Sequence, residues 1–444
     1  MSSLLGSLKD QLSDSDDFFV IEEEFNQTKF EIIGVRSLVD LAKSLELIEK
    51  HVTTATLMHK GVLDYLISNG KKISKEHEII TAVLEGELIL VFEDCENFVV
   101  SLEPIRVSLS RPVEQPTNGS VLQGPLNSFN EERLVNIGIL RKRLVSDQLR
   151  VKDFLIGKRQ KKNVSISYDA KSVNKKLLQK TIELLENGSE RELQSIQDLM
   201  KVLKLSPWSA VGRIHATEIP QQAASCLVKG KVVIFIDGFP FAYILPSTFW
   251  DIFILENDKN FPMPITVSIR VLRLIGVMIA LIAPGLYVAL VAVNPEVLRI
   301  ELALSIAQSR NGVPYPALVE IILMLVILEL IVEASIRLPQ SIGPTITMVG
   351  GIILGQAAVE AKLVSNLLII VLAATTIANA TVIGYQNLIT IRLLKYTILI
   401  LASIFGVLGI MAGVFLICGY FASINTLGVP YLNMDFSKGD INSG

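Results

Sequence analysis

The sequence predicts an α+β region of two similar α/β lobes followed by an α-helical multi-span membrane domain. Three observations carry this. First, the chain of 444 residues holds 41 basic and 44 acidic side chains, but only 15 of these charges lie from Leu274 onward. The front part is therefore as charged as a soluble domain, roughly 25%, and the back part carries about a third of that density. Second, two apolar strand pairs recur in the front part at a similar spacing. Third, the back part contains several uncharged or nearly uncharged runs of span length. A purely soluble enzyme and a chain made only of spans are both excluded. With charges balanced to −3, no basic field exists to attract nucleic acid.

Taken in order, residues 1–17 are polar and acidic and lack an apolar core, so no signal peptide is expected and the front part is assigned to the cytoplasm. Residues 18–35 read as one or two strands, and 37–47 and 53–68 have amphipathic helical spacing. Residues 84–92 and 98–102 read as strands around an acidic turn at Glu93 and Asp94. Later, 163–168 alternate as a strand and 172–186 are helical. The apolar runs 227–236 and 241–246 flank Asp237-Gly238, a strong hairpin signal that predicts positive φ at the glycine.

Gly86 and Gly230 each enter such a hairpin and lie 144 residues apart; Ser37 and Ser172 mark strand-to-helix entries 135 apart. Two similar offsets in the same order point to a duplication, with unrelated hairpins as the alternative. Between the copies, 111–124 is a Pro-, Gly- and Asn-rich linker. A long helix is expected over 129–151. Its basic run Arg141, Lys142 and Arg143 reads as a solvated face, or alternatively as a lipid contact. The predicted divisions are a first lobe (1–110), linker and helix (111–160), a second lobe (161–255), a membrane domain (256–434) and a polar tail (435–444).

No catalytic constellation is found. His77-Glu78 lacks the second histidine of a zinc helix, Cys95, Cys226 and Cys418 are scattered, and neither a phosphate loop nor a nucleophile elbow occurs. No enzyme activity, metal or cofactor is expected.

In the back part, about five helices are predicted to cross: 274–293, 316–336, 344–359, 363–383 and 397–421. Residues 295–311 are amphipathic and suit the interface. Lys and Arg placement, including Arg270, Arg273, Arg392 and Lys395, sets the front part inside. Five crossings would then put the tail outside, whereas a re-entrant 344–359 would leave four.

Carboxylates inside spans are candidate functional groups. Glu333 and Arg337 are four apart and predict a structural ion pair. Glu329 has no partner within its own helix and is a candidate pore or gate residue. Glu320, near a helix start, also suits the dipole there. Thr347, Gly351 and Gly355 recur at intervals of four and form one small, partly polar face. Such a face serves close packing or a pore lining equally well. Gly409 and Gly413 on the last span read as packing.

Several motifs together resemble the GerA-type spore germinant-receptor A subunits. They include Arg270 and Arg273 before Pro284 and Leu286-Tyr287-Val288-Ala289-Leu290, Pro295-Glu296, Val313-Pro314, Pro316-Ala317-Leu318-Val319-Glu320 and Arg337-Leu338-Pro339. Gly355-Gln356-Ala357-Ala358-Val359-Glu360-Ala361 and Gly428-Val429-Pro430-Tyr431 match as well. In the front part, Asn136, Leu140-Arg141-Lys142-Arg143-Leu144 and Asp237-Gly238 resemble the family's linker helix and second hairpin. The sequence departs from the family at Ile219-Pro220-Gln221-Gln222, Leu325 and Val332. The resemblance implies a nutrient-sensing subunit in the spore inner membrane, part of an oligomer around a germinant-gated cation path. It also implies a B-type multi-span subunit and a C-type lipoprotein as partners. A channel paralogue acting without them, or a self-contained transporter, are the alternatives.

Overall fold

Two five-stranded antiparallel sheets in the front half repeat one topology. The computed structural model describes residues 12, 14–25, 28–57, 61–92, 98–106, 127–338 and 343–433. In the first lobe, β1 (Phe18–Phe25) and β2 (Thr28–Val35) lead to helices α1 (Leu41–Leu57) and α2 (Val62–Asn69). Then come β3 (Lys71–Ile73), α3 (Glu76–Glu85), β4 (Leu88–Phe92) and β5 (Val99–Leu102), and the sheet order is β1-β2-β4-β5-β3. Helix α4 (Arg133–Arg143) precedes the second lobe. There β6 (Leu149–Ile156), β7 (Lys162–Asp169), α5 (Lys175–Asn187), α6 (Ile196–Val202) and β8 (His215–Thr217) are followed by α7 (Pro220–Val228), β9 (Val232–Ile236) and β10 (Ala242–Leu245). The order β6-β7-β9-β10-β8 is the first sheet again, element for element.

The central strands β4 and β9 are buried along their whole length, which is why both read as unbroken apolar runs. Gly86 (φ 87) and Gly230 (φ 82) occupy the same joint, between a helix and the central strand. The glycine offset seen in the sequence is thus a structural equivalence. The acidic turn at Glu93 and Asp94 and the linker 111–124 lie outside the described residues.

Two expectations for the front part are corrected. The helix expected over 129–151 ends at Arg143, because Leu149 and Val151 turn inward at strand spacing and belong to the second sheet. The second lobe therefore begins at β6, ahead of residue 161. The β9–β10 connection is wider than a two-residue turn, although Gly238 does have positive φ (82°). Asp237 caps a neighbour instead: Arg133 N–H donates to its Oδ1 at 3.1 Å.

The lobes meet edge to edge. Asp16 N–H donates to Val151 O at 2.8 Å, and Val151 N–H donates to Ser15 Oγ at 3.0 Å.

The back half is a helical bundle. Helix α8 (Met263–Val288) continues through a π turn, 289–293. It is followed by α9 (Ile300–Ser309), α10 (Ala317–Arg337), α11 (Gly343–Glu360), α12 (Asn366–Asn379) and α13 (Tyr385–Ser423). α8 leads away from the lobes. Tyr287 near its end packs with Ala317, Ala358 and Leu368, so α10 and α12 start, and α11 finishes, at the far end.

α13 is not one span. Gly406 breaks it with φ 60° and ψ −136°, and the two arms fold back on each other. Thr390 on the first arm donates to Ala210 O, and Tyr420 on the second accepts from Ala210 N–H. Gly413 lies against Ile398, and Gly409 against Leu401, so both glycines pack as the sequence reading proposed, on their own helix's other arm. Each segment from α10 onward thus runs opposite to the one before, and the chain ends its passes beside the lobes. There β11 (Asn425–Thr426) and β12 (Val429–Pro430) form a short hairpin. Val429 enters the core of the second lobe, and Phe249 N–H donates to Tyr431 O at 3.0 Å. The helix expected over 397–421 is thus broken at Gly406, and the expected tail 435–444 lies outside the described residues. An apolar run hides a one-residue reversal, since hydropathy is the same on either side of Gly406.

Candidate functional site

The ionisable groups of the bundle form separate sites, built outward from α10. Glu320 in its first turn is fully buried. Its carboxylate accepts from Ser365 N–H at 2.5 Å and from Tyr287 O–H at 3.3 Å, and Arg310 lies 3.4 Å away. Ser365 caps α12, its Oγ accepting from Leu368 N–H at 3.2 Å. Glu320 therefore serves the N-terminus of α12 as well as lying in the first turn of its own helix, and the attached cation keeps the buried charge compensated. This is a clamp joining α8, α10 and α12.

Glu329 is also paired, contrary to expectation. Lys395 Nζ lies 2.8 Å from its carboxylate and Arg392 Nη1 3.1 Å, both supplied by the first arm of α13. Lys395 is only 2% exposed, so the site is a buried cluster with one cation in excess. No free negative charge remains there. Both partners lie far along the chain, and only the fold brings them to the same depth. On the outer part of the same helix, Arg337 donates to Glu333 at 2.7 Å; both side chains are more than half exposed, where such a pair contributes little.

Helix α11 packs against α10. A methyl group added at Gly351 or Gly355 would meet nothing within 4 Å, so this side of the helix is open. The side chain of Thr347 lies outside the described residues.

The reversal at Gly406 is held from α8. Val407 N–H donates to Asn294 Oδ1 at 3.1 Å, and Asn294 Nδ2 donates to Glu296 at 2.8 Å. Asn294 thus satisfies a donor that the break in the helix leaves without an intrahelical acceptor.

At the opposite end the second lobe is bolted to the bundle. Arg273 donates to both oxygens of Asp258 at 2.5 and 2.9 Å and to Phe253 O at 3.1 Å. Lys231, 3% exposed, reaches Asp251 at 2.7 Å. Burial alone would raise the Asp251 carboxyl, but Lys231 and His215 bring it below the ordinary carboxylate range. The rings of Trp250, Phe253, Phe421 and Tyr431 gather around Phe249 with centroids 5.1–6.3 Å away. Arg270 and Arg273, read from sequence as markers of orientation, thus also build this joint. Among the described residues, no group of His, Cys, Asp and Glu could hold a metal ion.

Residues 6–440 match the Bacillus/Clostridium GerA spore germination protein family. The chain belongs to that family. Spore germination protein GerLA of Bacillus cereus is 33% identical, over 80% of this chain and 72% of its own. The uncharacterized membrane protein YfkQ of Bacillus subtilis (strain 168) is 31% identical over 80% of this chain and 69% of its own. Among solved structures, the N-terminal domain of the A subunit of the Bacillus megaterium spore germinant receptor GerK3 aligns with 56% of this chain and 95% of that domain. The identity is 20% and the TM-score 0.39.

In this GerA-family chain the motifs that carry the resemblance lie at joints. The Asn136 side chain, in the first turns of α4, accepts from Asn130 N–H and donates to Asn130 O. Arg141, expected on a solvated face, is buried against Asp17. Gly428 to Tyr431 returns the chain to the second lobe. None of these pairings has a local signal; only the motif match drew attention to the positions.

Proposed function

We propose that this chain is the A subunit of a nutrient germinant receptor in the spore inner membrane. In this reading it works with a B-type multi-span subunit and a C-type lipoprotein, and several copies surround a germinant-gated cation path. The family match over residues 6–440 carries the reading. Membrane placement is supported by length and composition: Met263–Val293 is long and apolar enough to cross, and both arms of Tyr385–Ser423 are strongly apolar. The outer face of the second α13 arm is also apolar and open, with Leu408 74% and Phe415 77% exposed.

Thr347, Gly351 and Gly355 on α11 are assigned to the path, because the glycine side of this helix is open for a neighbouring copy to approach. Glu329 acts as the counter-ion of Arg392 and Lys395, and Glu320 as a clamp. Spores lacking this chain should lose potassium release in response to at least one nutrient. A wild-type copy should restore it, and a Gly351→Leu copy of normal abundance should not. Unchanged responses to every nutrient in the deletion strain would overturn the reading.

The lobes are assigned to the cytoplasm, and the bundle then brings the tail back to the same side. In a chain whose native cysteines are replaced by serine, cysteines at Ser68 and Ser443 should be equally protected from an impermeant thiol reagent. Labelling of only one of them would show that the passes do not pair as described. The alternative reading is a channel paralogue acting without B and C subunits. Potassium release that persists after loss of the B-type subunit would select it.

A further inference from the structure

We infer that Trp208 is an interfacial anchor, set by the second lobe into the headgroup region of the lipid bilayer. Trp208 is 94% exposed, on a loop that is otherwise tightly held. Leu203, Leu205 and Val211 are buried on either side of it. Ala210 N–H donates to Tyr420 O–H at 3.0 Å, and Thr390 Oγ1 donates to Ala210 O at 2.7 Å. The loop is thus tied to both arms of α13, and the indole cannot withdraw into the lobe.

Its depth is fixed by the same bonds. Gly212 on this loop lies against Gln386, at the foot of the first arm. Tyr385, 52% exposed, starts that arm, and the arm's exposed apolar surface begins here. At the other end of the arm stand Phe405, 59% exposed, and beyond it Tyr315, 40% exposed, before α10. The helical stretch from Tyr385 to Phe405 rises about 30 Å, the thickness of a hydrocarbon core. Trp208 and Tyr385 therefore occupy one rim of an apolar belt of bilayer height. Aromatic rings with one polar atom favour that position, where the ring leaves water and the N–H stays hydrated. Lys204, exposed on the same loop, suits the phosphate layer.

The inference rests on the membrane placement proposed above, and its test separates the two. Trp208 is one of two tryptophans. In a Trp250→Phe background, the full-length chain is reconstituted into phosphatidylcholine–phosphatidylglycerol vesicles containing increasing amounts of brominated phosphatidylcholine. Trp208 emission should be lost as bromolipid rises, more with bromines near the headgroup than with bromines deep in the chains. Iodide should quench it weakly. Strong iodide quenching without bromolipid quenching would place the indole in water, and insensitivity to both would place it against protein; either overturns the inference. A reporter at Phe415→Trp in a chain lacking both native tryptophans reads membrane placement alone. A quenched reporter with an unquenched Trp208 refutes the anchor and leaves the membrane reading standing, whereas an unquenched reporter refutes both.

Discussion

Replacing Arg141 with leucine is expected to destabilise the front half by about 3–5 kcal/mol, the usual effect of leaving one member of a buried ion pair alone. Asp17 and Arg141 are 1% and 3% exposed, with guanidinium-to-carboxylate bonds of 2.7 and 2.6 Å. Ser15 and Ser37 donate to the same carboxylate at 2.7 and 3.0 Å. Burial by itself would raise the Asp17 pKa, but Arg141 and the two hydroxyls outweigh it, and the carboxyl stays below its ordinary range. The wild-type contribution is therefore complete above the unfolded value of about 3.9 and lost as pH falls through the lower folded one. In Arg141→Leu the sign reverses. Burial then dominates, the folded pKa rises above the unfolded one, and the defect should deepen as pH rises from the acid range towards neutrality. Thermal unfolding of the detergent-solubilised chain across pH 3–7 measures both effects. Equal melting temperatures for wild type and variant at pH 7 would show that the pair does not hold the lobes.

Gly406→Val should be the most damaging change in the bundle. A β-branched residue at φ 60° costs about 1–3 kcal/mol in backbone strain. A side chain there would also collide with Asn294. Together these should exceed about 3 kcal/mol and strongly lower the amount of protein in membranes. Asn294→Ala alone removes the acceptor for Val407 N–H and should cost about 1 kcal/mol. Adding it to Gly406→Val should relieve the collision with Asn294 but neither the contact with Val293 nor the strain, so the double variant should be only partly rescued. Membrane abundance and the onset of heat aggregation distinguish these cases. Wild-type behaviour of Gly406→Val would mean that α13 runs straight through.

The front half was largely readable because its signals are local. Apolar runs of strand length, helical spacing and an Asp-Gly turn each report on a few neighbouring residues, and the repeat offset supplied the relation between lobes. The failures came where one position decides the path of many. Leu149 and Val151 lie where the helix is expected to continue, and only pairing with β7 makes them a strand. Gly406 sits in an apolar run whose composition is the same for one helix or two. The paired states of Glu320 and Glu329 depend on residues from other helices, so sequence could mark these carboxylates as unusual without saying what satisfies them. The open glycine side of α11 was legible as a small face because its period lies within one helix.

The return of Tyr431 to Phe249 bears on the order in which the molecule is made. Phe249 leaves the ribosome before any helix of the bundle, whereas Tyr431 follows all of them. The base of the second lobe therefore waits, its aromatic seat incomplete, while every intervening helix is made. Val429 fills the core of that lobe only at this last step. The two lobes can pair as they emerge, since Asp17, Arg141 and β6 are all made before the first helix of the bundle. The attachment of the lobes to the bundle is instead finished only once the last helix has been made, and it registers that the whole path between Phe249 and Tyr431 has been laid down.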